Sequence, residues 1–177
     1  LNDLANSDKI LKEVNLLMGE KSKIFKDKIN FKYPNGQGFK PHQDIAAGWG
    51  EYCNKHITFA LPFDKTTESN GCIYFGDTQQ TQLTNTFEDL NCDIKLEPVC
   101  TNKGDIILFD SYIPHASYKN QTNKARSILF FTYTPAITGD HYEQYHMDKF
   151  KNVPPDIYKI KGKKYKSGNS NSDEVEY

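Results

Sequence analysis

Gly104-Asp105-Ile106-Ile107-Leu108-Phe109 and, further on, Ser127-Ile128-Leu129-Phe130-Phe131-Thr132-Tyr133 are the two runs that decide the fold class. Both are short, rich in Ile, Leu and Phe, and bounded by turn formers, the pattern of buried strands. Working outward, His56 to Phe63 reads as another strand and Gly71 to Phe75 as a short one. Upstream, Ile29, Phe31 and Tyr33 alternate with Lys28, Asn30 and Lys32, a period of two that Pro34-Asn35-Gly36-Gln37-Gly38 then breaks. Short strands separated by Gly, Pro and Asn turns favour an all-β barrel or jelly roll over alternating βαβ units. Only Ile10, Leu11, Val14, Leu17 and Met18 fall at helical spacing, with Asn6, Ser7 and Asp8 as cap candidates and Gly19 as a stop. This predicts one amphipathic helix over 8–18, flanking a mainly β domain.

The length, 177 residues, fits one domain with a proper core. The expected domain covers 1–158. From Lys159 the chain runs through lysines, the stretch Ser167-Gly168-Asn169-Ser170-Asn171-Ser172 and acids, which predicts a polar, poorly ordered tail over 159–177. Gln79 to Asn91 is polar and reads as loop or a short helix. A net charge of -1 argues against a protein that binds nucleic acid by neutralising phosphates. No apolar run approaches the ~18 residues a membrane span needs, and the N-terminus lacks a signal-peptide pattern. Cys53, Cys72, Cys92 and Cys100 form no C-x-x-C pair and read as free thiols of a reducing compartment, hence the cytoplasm. The sequence leaves the oligomeric state open.

His42-Gln43-Asp44 sets an imidazole and a carboxylate two residues apart, on one face if the backbone is extended. His115, just beyond the Gly104–Phe109 strand, is the natural third ligand. Two histidines and one carboxylate make the facial triad that suits non-haem Fe(II), with positions left open for small ligands. An H-x-D pair alone also occurs in surface turns and caps. Arg126 strengthens the metal reading, because every other one of the 22 basic residues is lysine. An arginine surviving at the head of an apolar strand points to a position that needs its planar, bidentate grip on a carboxylate. Its chance survival is the competing explanation.

These residues resemble the phytanoyl-CoA dioxygenase family of Fe(II)- and 2-oxoglutarate-dependent oxygenases. Lys28-Ile29-Asn30-Phe31-Lys32 followed by Pro41-His42-Gln43-Asp44 is similar to its first metal motif. Asn70-Gly71-Cys72-Ile73-Tyr74-Phe75-Gly76-Asp77 is similar to its mid-chain N-G-x-L segment, departing at the end where the family commonly has P-G-S-H. Gly104 to Phe109, His115, Asn120 and Arg126 match its second half in order and spacing. The resemblance covers about residues 26 to 135. The family usually carries more helix and strand ahead of this region, so the chain is expected to be N-terminally truncated.

The resemblance implies a double-stranded β-helix, a jelly-roll or cupin-like barrel with iron at its open end. It implies Fe(II) on His42, Asp44 and His115, and 2-oxoglutarate and O2 as cosubstrates. Arg126 would pair with the distal carboxylate of 2-oxoglutarate, and Ser117 would help to hold it. Asn30 matches a position that contacts the cosubstrate, and Thr58, sharing an inward face with Ala60, would line the pocket. In related halogenases the carboxylate ligand is Ala or Gly; Asp44 therefore implies hydroxylation of a C–H bond, with release of succinate and CO2, on a small-molecule substrate. Trp49 either covers the pocket or packs on the barrel rim. His56, His141 and His146 read as packed or solvated residues rather than ligands, and Cys53 and Cys72 as structural. A non-catalytic cupin-like binding protein and an inactive fragment remain open, as does a zinc hydrolase on the same ligands, although no Glu-based general-base motif is present.

Overall fold

A computed structural model of the protein describes residues 1–76, 94–166 and 174–176. The Gln79–Asn91 segment, Asp77, Cys92 and the 167–172 run lie outside the described residues. The helices are α1 (Asn2–Ala5), α2 (Asp8–Met18) and α3 (Tyr142–Asn152). The strands are β1 (Ser22–Lys32), β2 (Phe39–His42), β3 (Ile57–Pro62), β4 (Ile73–Phe75), β5 (Glu97–Val99), β6 (Ile107–Asp110), β7 (His115–Ser117), β8 (Arg126–Pro135), β9 (Lys164–Lys166) and β10 (Glu174–Glu176).

Eight strands form two antiparallel four-stranded sheets, in the orders β1-β8-β3-β6 and β2-β7-β4-β5. The pairs β1·β8, β2·β7, β3·β6 and β4·β5 nest inside one another along the chain, and β3·β8 and β4·β7 close each sheet. That nesting is a long antiparallel ribbon rolled on itself, the jelly roll or double-stranded β-helix. Separately, β9 and β10 pair as an antiparallel ribbon.

The two faces of the larger sheet have different tasks. Ile57 and Phe59 on β3 and Leu129, Phe131 and Tyr133 on β8 face outward and bury against Ile10, Val14 and Met18 of α2. Those helix positions are spaced i, i+4 and i+8, and the helix ends at Gly19 in the left-handed region (φ 77°), as its sequence predicts. Leu17, read onto the same stripe, is instead exposed. Alternate residues, Ala60 on β3 and Ile128 on β8, face inward and pack with Phe109 of β6 and with Ile73 across the barrel. Thr58 lies on that inner face opposite Thr132, and their hydroxyl groups bond at 3.1 Å.

β1 departs from the usual polarity of a sheet strand. Its register sets Lys28, Asn30 and Lys32 opposite Phe130, Ile128 and Arg126, so the lysine-bearing face is the lumen face. Phe31 and Tyr33 are the exposed ones, at 57% and 65%, while Lys32 is 3% exposed. A register shift between Ile24 and Lys26 places Phe25 and Lys26 inside in succession, as a bulge does.

Candidate metal and cosubstrate site

The site forms where the smaller sheet meets the barrel mouth. His42 ends β2 and pairs directly with His115, which starts β7. The chain then turns into a short 3-10 helix beginning at Asp44. Gln43, between the two ligands, points the other way and is buried, donating Nε2 to the Tyr112 carbonyl at 2.6 Å. That anchor fixes the turn so that His42 and Asp44 converge.

Candidate ligand atoms of His42, Asp44 and His115 all lie within 4.8 Å of one another. Asp44 Oδ1 is 3.7 Å from His42 Nε2 and 3.9 Å from His115 Nε2. Donors about 2.1 Å from a shared ion stand roughly 3 Å apart when adjacent, so closure by less than about 1 Å suffices. His42 Nδ1 lies 2.8 Å from the Lys40 carbonyl and His115 Nδ1 3.0 Å from the Ile113 carbonyl. A carbonyl only accepts, so each Nδ1 carries the proton and each Nε2 turns its lone pair to the centre. Burial, with His115 next to it, pushes the His42 imidazole down to about 4, so it is neutral and ready to ligate at neutral pH. Burial alone would raise the Asp44 carboxyl, but His115, Lys26, His42 and Lys28 outweigh it and hold the group below its ordinary value. This donor set fits a divalent non-haem metal.

A second cluster lies one step deeper. Ser117 follows His115 by two residues on β7, roughly 7 Å along the same face. Its Oγ accepts a hydrogen bond from Lys32 Nζ at 2.9 Å. Arg126, 4% exposed, donates Nη2 to the Gly71 carbonyl at 2.6 Å, while its buried Nε has no partner. Lys32 Nζ also reaches the Gly71 carbonyl at 3.5 Å and the Tyr118 carbonyl at 2.6 Å. Neither cation has a carboxylate within 4.0 Å among the described residues. Cys72 does not compensate, because burial and the neighbouring Cys100 push its thiol up to about 12 and keep it neutral. Two buried cations and an orphaned guanidinium N–H therefore face a place where an anion fits.

The remaining sequence-predicted residues divide clearly. Asn30 shares the lumen face of β1 between the two clusters. Asn120 is a tie: its Nδ2 donates to the Lys32 and Lys124 carbonyls and its Oδ1 accepts from Thr122, pinning the β7–β8 loop to β1. His56 is fully buried among Phe25 and Trp49, and His141 bonds the Thr138 carbonyl, so neither joins the triad. His146 faces Asp27 at 3.7 Å. Trp49 is 1% exposed and packs with Phe25, Ile45 and Tyr145, supporting the 3-10 turn that holds Asp44. The three lumen lysines, Lys26, Lys28 and Lys32, are the candidate site residues that sequence reasoning passed over. The one signal was the position of Lys32 and Lys28 in phase with Asn30.

A jelly roll carrying two histidines and one carboxylate at its mouth, with a buried guanidinium behind them, defines the metal-dependent oxygenase architecture. The chain belongs to the phytanoyl-CoA dioxygenase (PhyH) family, whose sequence profile matches residues 3–128. It is 38% identical over 164 residues to a 2-aminoethylphosphonate dioxygenase from an uncultured bacterium, covering 89% of this chain and 63% of that protein. It is 36% identical over 156 residues to a methylphosphonate hydroxylase of Gimesia maris, covering 84% and 59%. The chain thus spans about three-fifths of the length of these curated relatives. Among solved structures, EctD from S. alaskensis with 2-oxoglutarate and 5-hydroxyectoine superposes with a TM-score of 0.67 at 19% identity, covering 77% of this chain and 52% of that one. The non-heme alpha ketoglutarate dependent epimerase SnoN gives 0.66 at 18% identity, covering 76% and 57%. Both share the fold.

Proposed function

We propose that this protein is an Fe(II)- and 2-oxoglutarate-dependent dioxygenase that hydroxylates a C–H bond of a small organic phosphonate. The carrying observation is the pairing of two sites at one spacing. A triad with both Nε2 lone pairs turned inward stands beside an uncompensated Arg126–Lys32 pair, linked by His115 and Ser117 on one strand face. His42, Asp44 and His115 hold the metal. Arg126 offers its free Nε and its fork to the distal carboxylate, Ser117 and Lys32 complete that grip, and Asn30 and Thr58 line the space between. Bound there, metal and cosubstrate supply the oxidising chemistry, in which 2-oxoglutarate and O2 become succinate and CO2 as the substrate gains a hydroxyl group. The chain's tasks are to orient both partners and to keep water out, which the apolar inner face of β3, β6 and β8 serves. The phosphonate class comes from the two relatives named above. No helix among the described residues is long and apolar enough to cross a membrane. The unpaired Cys53, Cys72 and Cys100 suit the cytoplasm, where we place the enzyme.

The test is anaerobic addition of Fe(II) and 2-oxoglutarate, watched for the weak metal-to-ligand charge-transfer band, followed by O2 and measurement of succinate. Wild type shows both, and His42→Ala or Asp44→Ala loses both. A folded wild-type chain that binds metal yet gives neither band nor succinate sinks the enzymatic reading in favour of a binding protein.

A further inference from the structure

The lumen face of β1 carries more positive charge than one cosubstrate can use. Lys26, Lys28, Asn30 and Lys32 follow one another at every second position along it. Lys32 belongs with Arg126. Lys28 and Lys32 are four residues apart, roughly 13 Å along the strand, and Lys26 is farther still.

Lys26 and Lys28 form a second cationic pair with no acceptor of their own. Among the described residues neither has a carboxylate within 4.0 Å, and neither ammonium has a hydrogen-bond acceptor. Aromatic rings surround them instead. Lys26 Nζ lies 4.3 Å from the Trp49 ring centre and 5.5 Å from that of Tyr145. Lys28 Nζ lies 5.2 Å from Phe130 and 5.7 Å from Phe39. Lys26 is 7% exposed, whereas Lys28 opens to solvent at the barrel mouth. Phe39 stands 6.3 Å from the His42 ring, and Trp49 clusters with Ile45, the residue after Asp44, so both lysines lie near the triad and both feel the Asp44 carboxylate. Once Asp44 ligates a divalent cation its charge is taken up by the metal, and the two ammonium groups are left uncompensated against aromatic rings. Such a pair calls for an anion with more than one charged oxygen. Two compact ammonium groups, each with three rotatable donors, suit a tetrahedral oxyanion, whereas a planar carboxylate is best met by an arginine fork.

We propose that Lys26 and Lys28 bind the phosphonate head of the substrate and hold it beside the metal, farther along the same face of β1 from the Arg126–Lys32 clamp. The assignment rests on the dioxygenase reading and adds to it which residues select the substrate. Lys28→Gln, at the open position, leaves the packing intact; Lys26→Met keeps the stem against Trp49. Each variant of the full chain is checked for folding by circular dichroism. Binding of methylphosphonate and of 2-aminoethylphosphonate to the Zn(II)- and 2-oxoglutarate-loaded protein is then followed by phosphorus NMR. Expected are binding to wild type, at least tenfold weakening in each single variant, and loss in the double variant. 2-Oxoglutarate affinity, read from the charge-transfer band with Fe(II), stays within about twofold. Inorganic phosphate is expected to compete with the same lysine dependence. Variants that bind both phosphonates like wild type overturn the proposal. So does a wild type that binds acetate or propionate at this site but neither phosphonate. In both cases an intact charge-transfer band leaves the dioxygenase reading standing, whereas its loss in wild type removes that reading itself.

Discussion

Arg126 carries the one guanidinium of this chain, beside 21 lysines. Its Nη2 is held by the Gly71 carbonyl, and its Nε remains buried and unpartnered. The guanidinium is thereby fixed in orientation while part of its fork is left for a ligand. Arg126→Lys keeps the charge but removes the fork. The expected outcome is a rise of tenfold or more in KM for 2-oxoglutarate, equivalent to about 1.4 kcal/mol, with a smaller change in kcat, measured by succinate release against cosubstrate concentration. An unchanged KM would remove Arg126 from the cosubstrate site. At this scale the sequence was most legible where a residue type was rare or locally paired, as with Arg126, His42 and Asp44. It was least legible for Lys26, Lys28 and Lys32. A period of two says that a strand has two faces and not which one is inside, and lysines are ordinarily assigned to solvent.

Elements were legible in proportion to their length and apolar content. α2, β3 and β8 stood out because each buries a full stripe of side chains. α3 did not, since Tyr145 is its one buried residue and the rest of its sequence is polar. β2 and β7, which carry the metal ligands, span four and three residues, too short for a period to register. The turn into β4 shows how a connection can control the site. Gly71 has φ +76°, and a Cβ there would run into the Tyr118 carbonyl and come within 2.8 Å of Lys32 Nζ. Gly71→Ala is therefore expected to cost about 1–3 kcal/mol in backbone strain and to shift Lys32 and the carbonyl that orients Arg126. Thermal unfolding and the 2-oxoglutarate titration should both worsen. Gly104 is the matched control, because it has φ +90° and open space around it. Gly104→Ala should lower the unfolding midpoint and leave 2-oxoglutarate affinity alone. Equal cosubstrate affinity in the two variants would show that the turn only folds the chain.

On the scale of the whole molecule, a chain of net charge -1 concentrates four cations on one barrel lining. Burial pushes Lys26 and Lys32 down from 10.5 to about 8, with Arg126 adding to the effect on Lys32, and Lys28 is lowered in the same direction with Lys26 adding to its shift. In the unfolded chain the same lysines return to ordinary values. Between about pH 8 and pH 10 the unfolded state therefore binds more protons than the folded state, and stability rises with pH across that window. For Lys26, which is buried, the full effect is on the order of 3 kcal/mol as an upper bound; Lys28, open to solvent, contributes less through screening. The ligand-free protein should accordingly unfold at a higher temperature at pH 9.5 than at pH 8, the reverse of the usual alkaline trend. A bound anion restores the lysines toward their ordinary values, because the charged form then has a partner. Metal plus 2-oxoglutarate should flatten the part of the slope due to Lys32, and a phosphonate the part due to Lys26 and Lys28. Unfolding scans at half-unit pH steps, with Zn(II) throughout and each anion added separately, separate the two contributions. A slope that is absent without ligand, or that neither anion changes, would mean that the lumen lysines are neutralised by the protein itself and that the barrel was not built around two anions.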